Sequence, residues 1–140
     1  MEILILNGPN LNLVGLREPH IYGEKTMDEV IGELRLKYPQ LILHYYQSNH
    51  EGTLIDLLQE FGFTIDGIIL NPGGYTHTSI ALGDTVAAIS SPLVEVHISD
   101  ITNREPFRQH SFVSKHAQHA VIGEGVSGYE IALKYLLADR

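Results

Sequence analysis

Short apolar segments that alternate with helical patterns constrain the fold of this chain more than any other feature. The apolar segments occupy residues 2–7, 41–47, 66–71, 93–99 and 120–122. Strands without a polar face that alternate with helices predict a parallel sheet covered on both sides. Five such strands fit the flavodoxin-like order 2-1-3-4-5. We therefore expect one α/β domain over residues 1–140, a flavodoxin-like three-layer sandwich.

The helical segments are marked by apolar spacing and by cap signals. The first runs from 27 to Pro39, the third from about 78 to 89, and the last from 127 onward. The second ends at Gly62 and is marked by Leu54, Ile55, Leu57, Leu58 and Phe61. Two pairs have the spacing of a capping box, in which side chains three apart satisfy free N–H groups; they are Thr26 with Glu29 and Ser127 with Glu130. In the last helix, the residues expected on or beside the inner face are Ile131, Leu133, Tyr135 and Leu136.

Polar side chains collect where three of the predicted strands end. Strand 1 is followed by Asn7, Asn10 and Asn12, strand 3 by Asn71 and a Gly-Gly turn, and strand 4 ends in Glu95, His97 and Ser99. In this architecture ligands bind beyond the carboxyl ends of the strands, where the strand order reverses. Any one of these residues is explained as a turn residue. Their presence at three strand ends favours a binding site.

Composition excludes several kinds of site and partner. The 140 residues contain no cysteine, which excludes a thiol nucleophile, a disulfide scaffold and an iron–sulfur cluster. A formal charge of -8 argues against a nucleic-acid partner. It also means that a few well-placed cationic side chains would have to bind any anionic substrate. The arginines are Arg17, Arg35, Arg104, Arg108 and Arg140. No apolar stretch is long enough to span a membrane and no signal peptide is visible, so we expect a cytoplasmic protein without a membrane partner.

Glu95 and His97 form the first candidate for chemistry. They lie two apart on a predicted strand, so their side chains point to the same face. A carboxylate beside an imidazole fixes its tautomer and favours its protonated form, as a general acid requires. The alternative is a histidine that merely satisfies its hydrogen bonds at a strand end.

Arg17 and Tyr22 share a long loop, residues 8–25, with the Pro/Gly content of an active-site lid. A tyrosine with an ordinary pKa near 10 acts as a base at neutral pH only if cations stabilise its anion. The candidate cations are Arg17, Arg104 and Arg108. The alternative for Tyr22 is a ring packed under its own loop.

His77 and Thr78 precede the third helix, whose first N–H groups could receive an anion. Here the alternative is that Thr78 is simply the N-cap. The remaining histidines show no metal-ligand spacing, so we expect no metal.

Three long segments resemble the signature segments of one enzyme family, type II 3-dehydroquinate dehydratase. They read NGPNLNLVGLREPHIYG at 7–23, ILNPGGYTHTSIALGD at 69–84 and VEVHISDITNREPFRQHS at 94–111, and GVSGYEIALKYL at 125–136 is also similar. The resemblance runs in order over essentially the whole chain. It implies the flavodoxin-like fold and the dehydration of 3-dehydroquinate to 3-dehydroshikimate in the shikimate pathway. It also implies a reaction without metal or organic cofactor.

The resemblance also implies a role for each matched residue. Tyr22 would be the base, Arg17 the lid cation, Asn10 the holder of the water that stabilises the enolate, His97 the acid and Glu95 its orienting carboxylate. The substrate-binding residues would be Asn71, His77, Ile98, Ser99 and Arg108, with Arg104 assisting. Asp84 would reach a neighbouring subunit's site in a homo-oligomer, a trimer that assembles into a dodecamer.

One position departs from the family pattern, and two other classes of protein compete with the enzyme. Asp100 stands where we expect Asn, and we expect it to face away from the site and form a turn. A non-catalytic flavodoxin-like module would bind a flavin or a phosphorylated ligand, or act as a receiver. A receiver needs acids where this chain has Asn7 and Asn71. A dehydratase that uses a lysine imine is disfavoured because the four lysines lie in predicted loops or helices.

Overall fold

The computed structural model describes residues 1–16 and 24–138. Its described strands form one parallel five-stranded sheet in the order β2-β1-β3-β4-β5. The strands are β1 (Glu2–Asn7), β2 (Ile42–Gln47), β3 (Gly67–Asn71), β4 (Leu93–His97) and β5 (His119–Ile122). The register pairs Asn7 with Gln47 on one side and with Asn71 on the other. The predicted topology is confirmed.

Four α-helices lie in the described residues and cover both faces of the sheet. They are α1 (Met27–Lys37), α2 (Glu51–Phe61), α3 (Ile80–Ala88) and α4 (Gly128–Ala138). Short 3-10 turns occupy Leu11–Leu13, Gly73–His77, Ile101–Asn103, Pro106–Arg108 and Gly125–Ser127. The N-cap half of the capping box at α1 is confirmed, because Glu29 N–H donates to Thr26 Oγ1 at 3.2 Å. The Glu29 carboxylate accepts from the Thr26 hydroxyl, also at 3.2 Å, and so does not form the reciprocal half of the box.

Two apolar clusters make this a three-layer sandwich. On one face, α1 and α4 pack on alternate strand residues such as Ile5 and Ile69. On the other, α2 and α3 pack on their neighbours Leu6 and Leu70. These four strand residues are fully buried. Because successive side chains of a strand point to opposite faces, a strand with no polar residue is buried on both sides.

The starts of two helices differ from expectation. Helix α3 begins at Ile80, two residues later than expected, and its N-cap is Ser79, whose hydroxyl accepts from Leu82 N–H at 2.9 Å. Thr78 is therefore not the N-cap, because the preceding 3-10 turn delays the helix. Ser127 does not form a capping box with Glu130, because its hydroxyl donates to the Glu124 carbonyl.

Two further details of α4 differ from expectation. The Glu130 carboxylate pairs with Lys37 at 2.7 Å and accepts from the Tyr38 hydroxyl at 2.7 Å, instead of capping its own helix. Ile131, expected on or beside the inner face, is 40% exposed. The inner face of α4 instead includes Tyr129, which lies one turn from Leu133 and is fully buried.

No helix within residues 1–16 and 24–138 is both long and apolar enough to cross a membrane.

Candidate active site

A cavity of about 210 Å³ opens at the carboxyl edge of the sheet, beyond the ends of β1, β3 and β4. It is lined by Pro9, Asn10, Leu11, Val14, Asn71, Gly73, Gly74, His77, His97, Ile98, Ser99, Ile101, Arg104 and Arg108. The strand order reverses between β1 and β3, and open α/β sheets bind ligands at that crevice. The cavity therefore lies where the strand pattern predicts a site.

The loop after β1 is held against the turn after β3. A Cβ atom on Gly8 would lie 2.5 Å from the Pro72 carbonyl oxygen, so only glycine fits there. Asn10 adopts the left-handed conformation, with φ 69°, which Asn tolerates better than most residues. Its N–H donates to Asn49 Oδ1 at 3.0 Å. This packing brings Asn10 to the cavity wall.

The predicted pair of Glu95 and His97 is formed. His97 Nε2 lies 2.5 Å from Glu95 Oε2, and both residues are buried, Glu95 completely. An ionised carboxylate can only accept, so Nε2 carries the hydrogen. The other ring nitrogen, Nδ1, is then the one that can exchange a proton with a ligand. His97 also lines the cavity.

Three hydroxyl groups also hold the Glu95 carboxylate. Oε2 lies 2.7 Å from the Thr76 hydroxyl and 3.0 Å from the Ser111 hydroxyl, and the Ser114 hydroxyl donates to Oε1. Sequence reasoning did not single out these residues. Thr76 and Ser111 lie inside the segments that carry the family resemblance, which is the signal that could have found them. Ser114 lies outside those segments.

These contacts keep Glu95 ionised in spite of its burial. Burial alone would raise the pKa of Glu95, because it disfavours the charged form. The hydrogen bonds from His97, Ser114 and Thr76 and the charge of His97 outweigh burial and hold the pKa of this carboxyl below its usual value. An anionic Glu95 stabilises a cationic imidazole, as proton donation by His97 requires.

His77 lies beside His97, with the ring centroids 6.4 Å apart and the planes nearly parallel. Its Nδ1 lies 2.7 Å from the His110 carbonyl oxygen, so this nitrogen donates and a neutral ring offers Nε2 as an acceptor. Burial lowers the pKa of His77, and the nearby charges of His97 and Arg108 lower it further. The hydrogen bond to the His110 carbonyl raises this pKa but does not outweigh burial. His77 is therefore suited to accept a hydrogen bond from a ligand hydroxyl.

Two arginines give the cavity its positive side. Arg108 Nε forms an ion pair with Glu105 Oε2 at 2.8 Å. Arg104 lies near the same carboxylate at 4.0 Å and near the Ser99 hydroxyl at 3.5 Å. The pKa of Glu105 is lowered, most of all because its carboxylate accepts a hydrogen bond from its own backbone N–H. The charges of Arg108 and Arg104 lower it further. The two guanidinium groups make this wall suited to an anion.

Asp100 faces the turn, as expected. Its Oδ1 accepts from Thr102 N–H at 2.9 Å and its Oδ2 from Asn103 Nδ2 at 2.8 Å. It caps the 3-10 turn and does not line the cavity. The extra carboxylate therefore does not oppose an anion in the site.

A buried polar network underlies the cavity, and sequence reasoning missed its centre, Tyr129. The Tyr129 hydroxyl donates to Asn7 Oδ1 at 2.8 Å and accepts from Asn71 Nδ2 at 3.0 Å. Asn7 Nδ2 in turn donates to the Tyr45 hydroxyl at 3.3 Å. Complete burial raises the pKa of Tyr129, so this hydroxyl keeps its proton. Tyr129 lies within the segment 125–136, and its inward position could have been found from helical spacing.

The structure brings together most of the side chains that the sequence predicted for the site. Asn10, Asn71, His77, His97, Ile98, Ser99 and Arg108 line the cavity, and Glu95 lies directly behind His97. Asp84 is exposed on α3 and is not among the lining residues. Arg17 and Tyr22 lie outside the described residues. Within the described residues, no group of three or more His, Asp or Glu side chains could hold a metal ion.

Comparison with known proteins gives matches along nearly the whole chain. The sequence model of the family described as Dehydroquinase class II matches residues 1–137. A catabolic 3-dehydroquinase of Aspergillus clavatus is 43% identical, with 96% of this chain and 91% of the relative covered. A 3-dehydroquinate dehydratase of Bacillus pumilus is 46% identical, with 99% and 95% covered. The crystal structure of type II dehydroquinase from Butyrivibrio crossotus superposes with a TM-score of 0.93 at 41% identity, covering 98% and 97% of the two chains.

Proposed function

Because the chain belongs to the dehydroquinase class II family, we propose that it dehydrates 3-dehydroquinate to 3-dehydroshikimate by elimination through an enolate. The observation that carries this proposal is the Glu95–His97 pair beside a cavity with two arginines. Such an elimination needs a base, an acid and stabilisation of the enolate. The described residues supply a group suited to the acid and cations suited to an anionic substrate.

The acid step falls to His97. Glu95 takes the hydrogen bond from Nε2, so the proton for the leaving group comes from Nδ1 of the imidazolium. The C–O bond of the substrate breaks, and its hydroxyl leaves as water with that proton. Thr76, Ser111 and Ser114 hold the Glu95 carboxylate, which keeps the imidazole in a fixed position. In this proposal they are positioning residues.

The base step falls to Tyr22, on the family resemblance of segment 7–23. The tyrosinate removes a proton from the carbon next to the ketone, and the electrons move onto the ketone oxygen to form the enolate. Arg17 supports the tyrosinate by its charge. Asn10, at the cavity wall, holds the water that donates to the enolate oxygen. No lysine imine and no cofactor takes part.

Substrate binding falls to the remaining lining residues. Arg108 and the main chain of Ile98 and Ser99 bind the anionic side of the substrate, with Arg104 contributing charge. His77 and Asn71 bind substrate oxygens. All of these residues line the same cavity.

Assembly forms the last part of the proposal. Asp84 is exposed and lies outside the cavity of its own chain, so a role in catalysis requires a neighbouring subunit. We assign it to the site of a neighbour in a trimer that assembles into a dodecamer, on the family resemblance of segment 69–84.

The test of the reaction is direct. Purified protein is mixed with 3-dehydroquinate, and ultraviolet absorbance is followed for the conjugated enone of the product. We expect turnover by the native chain and loss of turnover in His97→Ala. The matched control is His116→Ala, which removes a ring outside the cavity and keeps turnover. No enone from the folded native chain would reject the proposed reaction.

A further inference from the structure

A single buried hydroxyl joins the last residues of two neighbouring strands. Asn7 ends β1, Asn71 ends β3, and the two are paired in the sheet register. Tyr129, the second residue of α4, places its hydroxyl between their side chains. Asn7 and Tyr129 are 0% exposed and Asn71 is 2% exposed. Of these three, only Asn71 lines the cavity.

The contacts of Asn71 allow only one orientation of its amide. Asn71 Oδ1 accepts from Gly73 N–H at 3.1 Å, and Nδ2 donates to the Tyr129 hydroxyl at 3.0 Å. The oxygen and nitrogen ends of an amide are nearly equal in shape, so hydrogen bonds decide which end faces which way. The Tyr129 proton is already given to Asn7 Oδ1, so toward Asn71 this hydroxyl can only accept.

It follows that Asn71 offers a donor to a ligand. Its oxygen accepts from Gly73 N–H and one Nδ2 hydrogen is donated to Tyr129, which leaves the second Nδ2 hydrogen as a donor for a ligand. If the Tyr129 hydroxyl were absent, the amide would lose one of the two contacts that oppose its rotation and would keep only the one from Gly73 N–H. The ring of Tyr129 fills the core with or without that oxygen, so the hydroxyl has a role that packing does not explain.

We propose that the Tyr129 hydroxyl is a positioning group for substrate binding, which holds the Asn71 amide so that it donates a hydrogen bond to a hydroxyl or carbonyl oxygen of the substrate. This inference rests on the proposed dehydration of 3-dehydroquinate. Tyr129 itself does not touch the substrate and acts through Asn71.

The experiment compares two substitutions that each remove one phenolic oxygen from the same network. For Tyr129→Phe we expect KM to rise about tenfold, the size expected for one aligned hydrogen bond, while kcat changes less than twofold. The control is Tyr45→Phe, which removes the partner of Asn7 Nδ2 but leaves the contact between Tyr129 and Asn71. Its KM should stay within twofold of the native value. Both are assayed well below their melting temperatures.

A double-mutant cycle tests whether Tyr129 acts through Asn71. Asn71→Ala raises KM by itself, and adding Tyr129→Phe should raise it less than twofold further. Full additivity would overturn the proposal, as would an unchanged KM in Tyr129→Phe or an equal rise in Tyr45→Phe. A fall in kcat with KM unchanged would overturn it too.

A second variant keeps the proposal testable if Tyr129→Phe does not fold. Asn7→Ala removes the acceptor that fixes the Tyr129 proton, so we expect KM to rise about threefold with kcat unchanged. An unchanged KM there overturns the inference. A folded native chain that does not convert 3-dehydroquinate at all rejects the proposed reaction, whereas an active native chain with an insensitive KM rejects only the role of Tyr129.

Discussion

Replacing Glu95 by Gln removes one negative charge from behind His97 and keeps the shape of the side chain. The Glu95 carboxylate is fully buried and lies 2.5 Å from His97 Nε2. A hydrogen bond to a charged group contributes about 1.5–3 kcal/mol, against about 0.5–1.5 kcal/mol for a neutral one. The loss of about 1–2 kcal/mol from the imidazolium corresponds to a decrease of about 5- to 30-fold in kcat.

The assay is the initial rate of enone formation over a range of pH. We expect a lower kcat in Glu95→Gln, because a neutral amide stabilises the protonated acid less than a carboxylate does. The matched control is Glu60→Gln, which makes the same change at an exposed position of α2. A kcat within twofold of the native value in a folded Glu95→Gln protein would refute the reasoning.

The same substitution has a consequence for stability that depends on pH. The pKa of Glu95 is lower in the folded protein than in the unfolded chain, so the folded state binds fewer protons at this group. Its contribution to the free energy of unfolding is present above the unfolded pKa, about 4.3, and is lost as the pH falls through the folded pKa. The difference in stability between native protein and Glu95→Gln should therefore narrow below about pH 4 in urea unfolding. A constant difference down to acid pH would contradict an ionised Glu95.

Three further predictions test the rest of the proposal. Tyr22→Phe should lower kcat at least 100-fold with the melting temperature unchanged, because a base typically contributes about 10²–10⁴-fold; near-native turnover would remove Tyr22 as the base. Borohydride added with 3-dehydroquinate should leave the protein mass and activity unchanged, whereas a covalent adduct on lysine would establish an imine. Asp84→Ala should lower activity while light scattering shows the mass of a trimer-based oligomer. An active native monomer would contradict the assembly, and full activity in the folded variant would contradict the role of Asp84.

The parts of the site that could be predicted from the sequence are contacts between residues close together in the chain. Glu95 and His97 alternate on a strand, and the period of two places both side chains on one face in any β-strand. The contact between them therefore followed from their spacing. Asp100 could be expected to form a turn because its side chain readily accepts from nearby N–H groups, and it does so from Thr102.

The site was not predictable where contacts join residues far apart in the chain. Ser114 reaches Glu95 from 19 residues away, and Tyr129 reaches Asn7 from 122 residues away. No local spacing encodes such pairs, because they depend on how the loops and α4 pack on the sheet. The same reason explains the wrong capping box, since Glu130 binds Lys37 at the end of α1 and Tyr38 just after it.

The sequence by itself determined the strands, their order and the edge of the sheet where the site lies. An apolar strand must be covered on both faces, and the connections between parallel strands leave few topologies. Only the tertiary structure decided which polar groups share a hydrogen bond in the interior. A buried donor or acceptor must find a partner wherever packing places one, so Glu95 meets Thr76 and Asn71 meets Tyr129. The hydrophobic pattern can be read from neighbouring residues in the chain, whereas the pairing of buried polar groups depends on how the helices, strands and loops pack together.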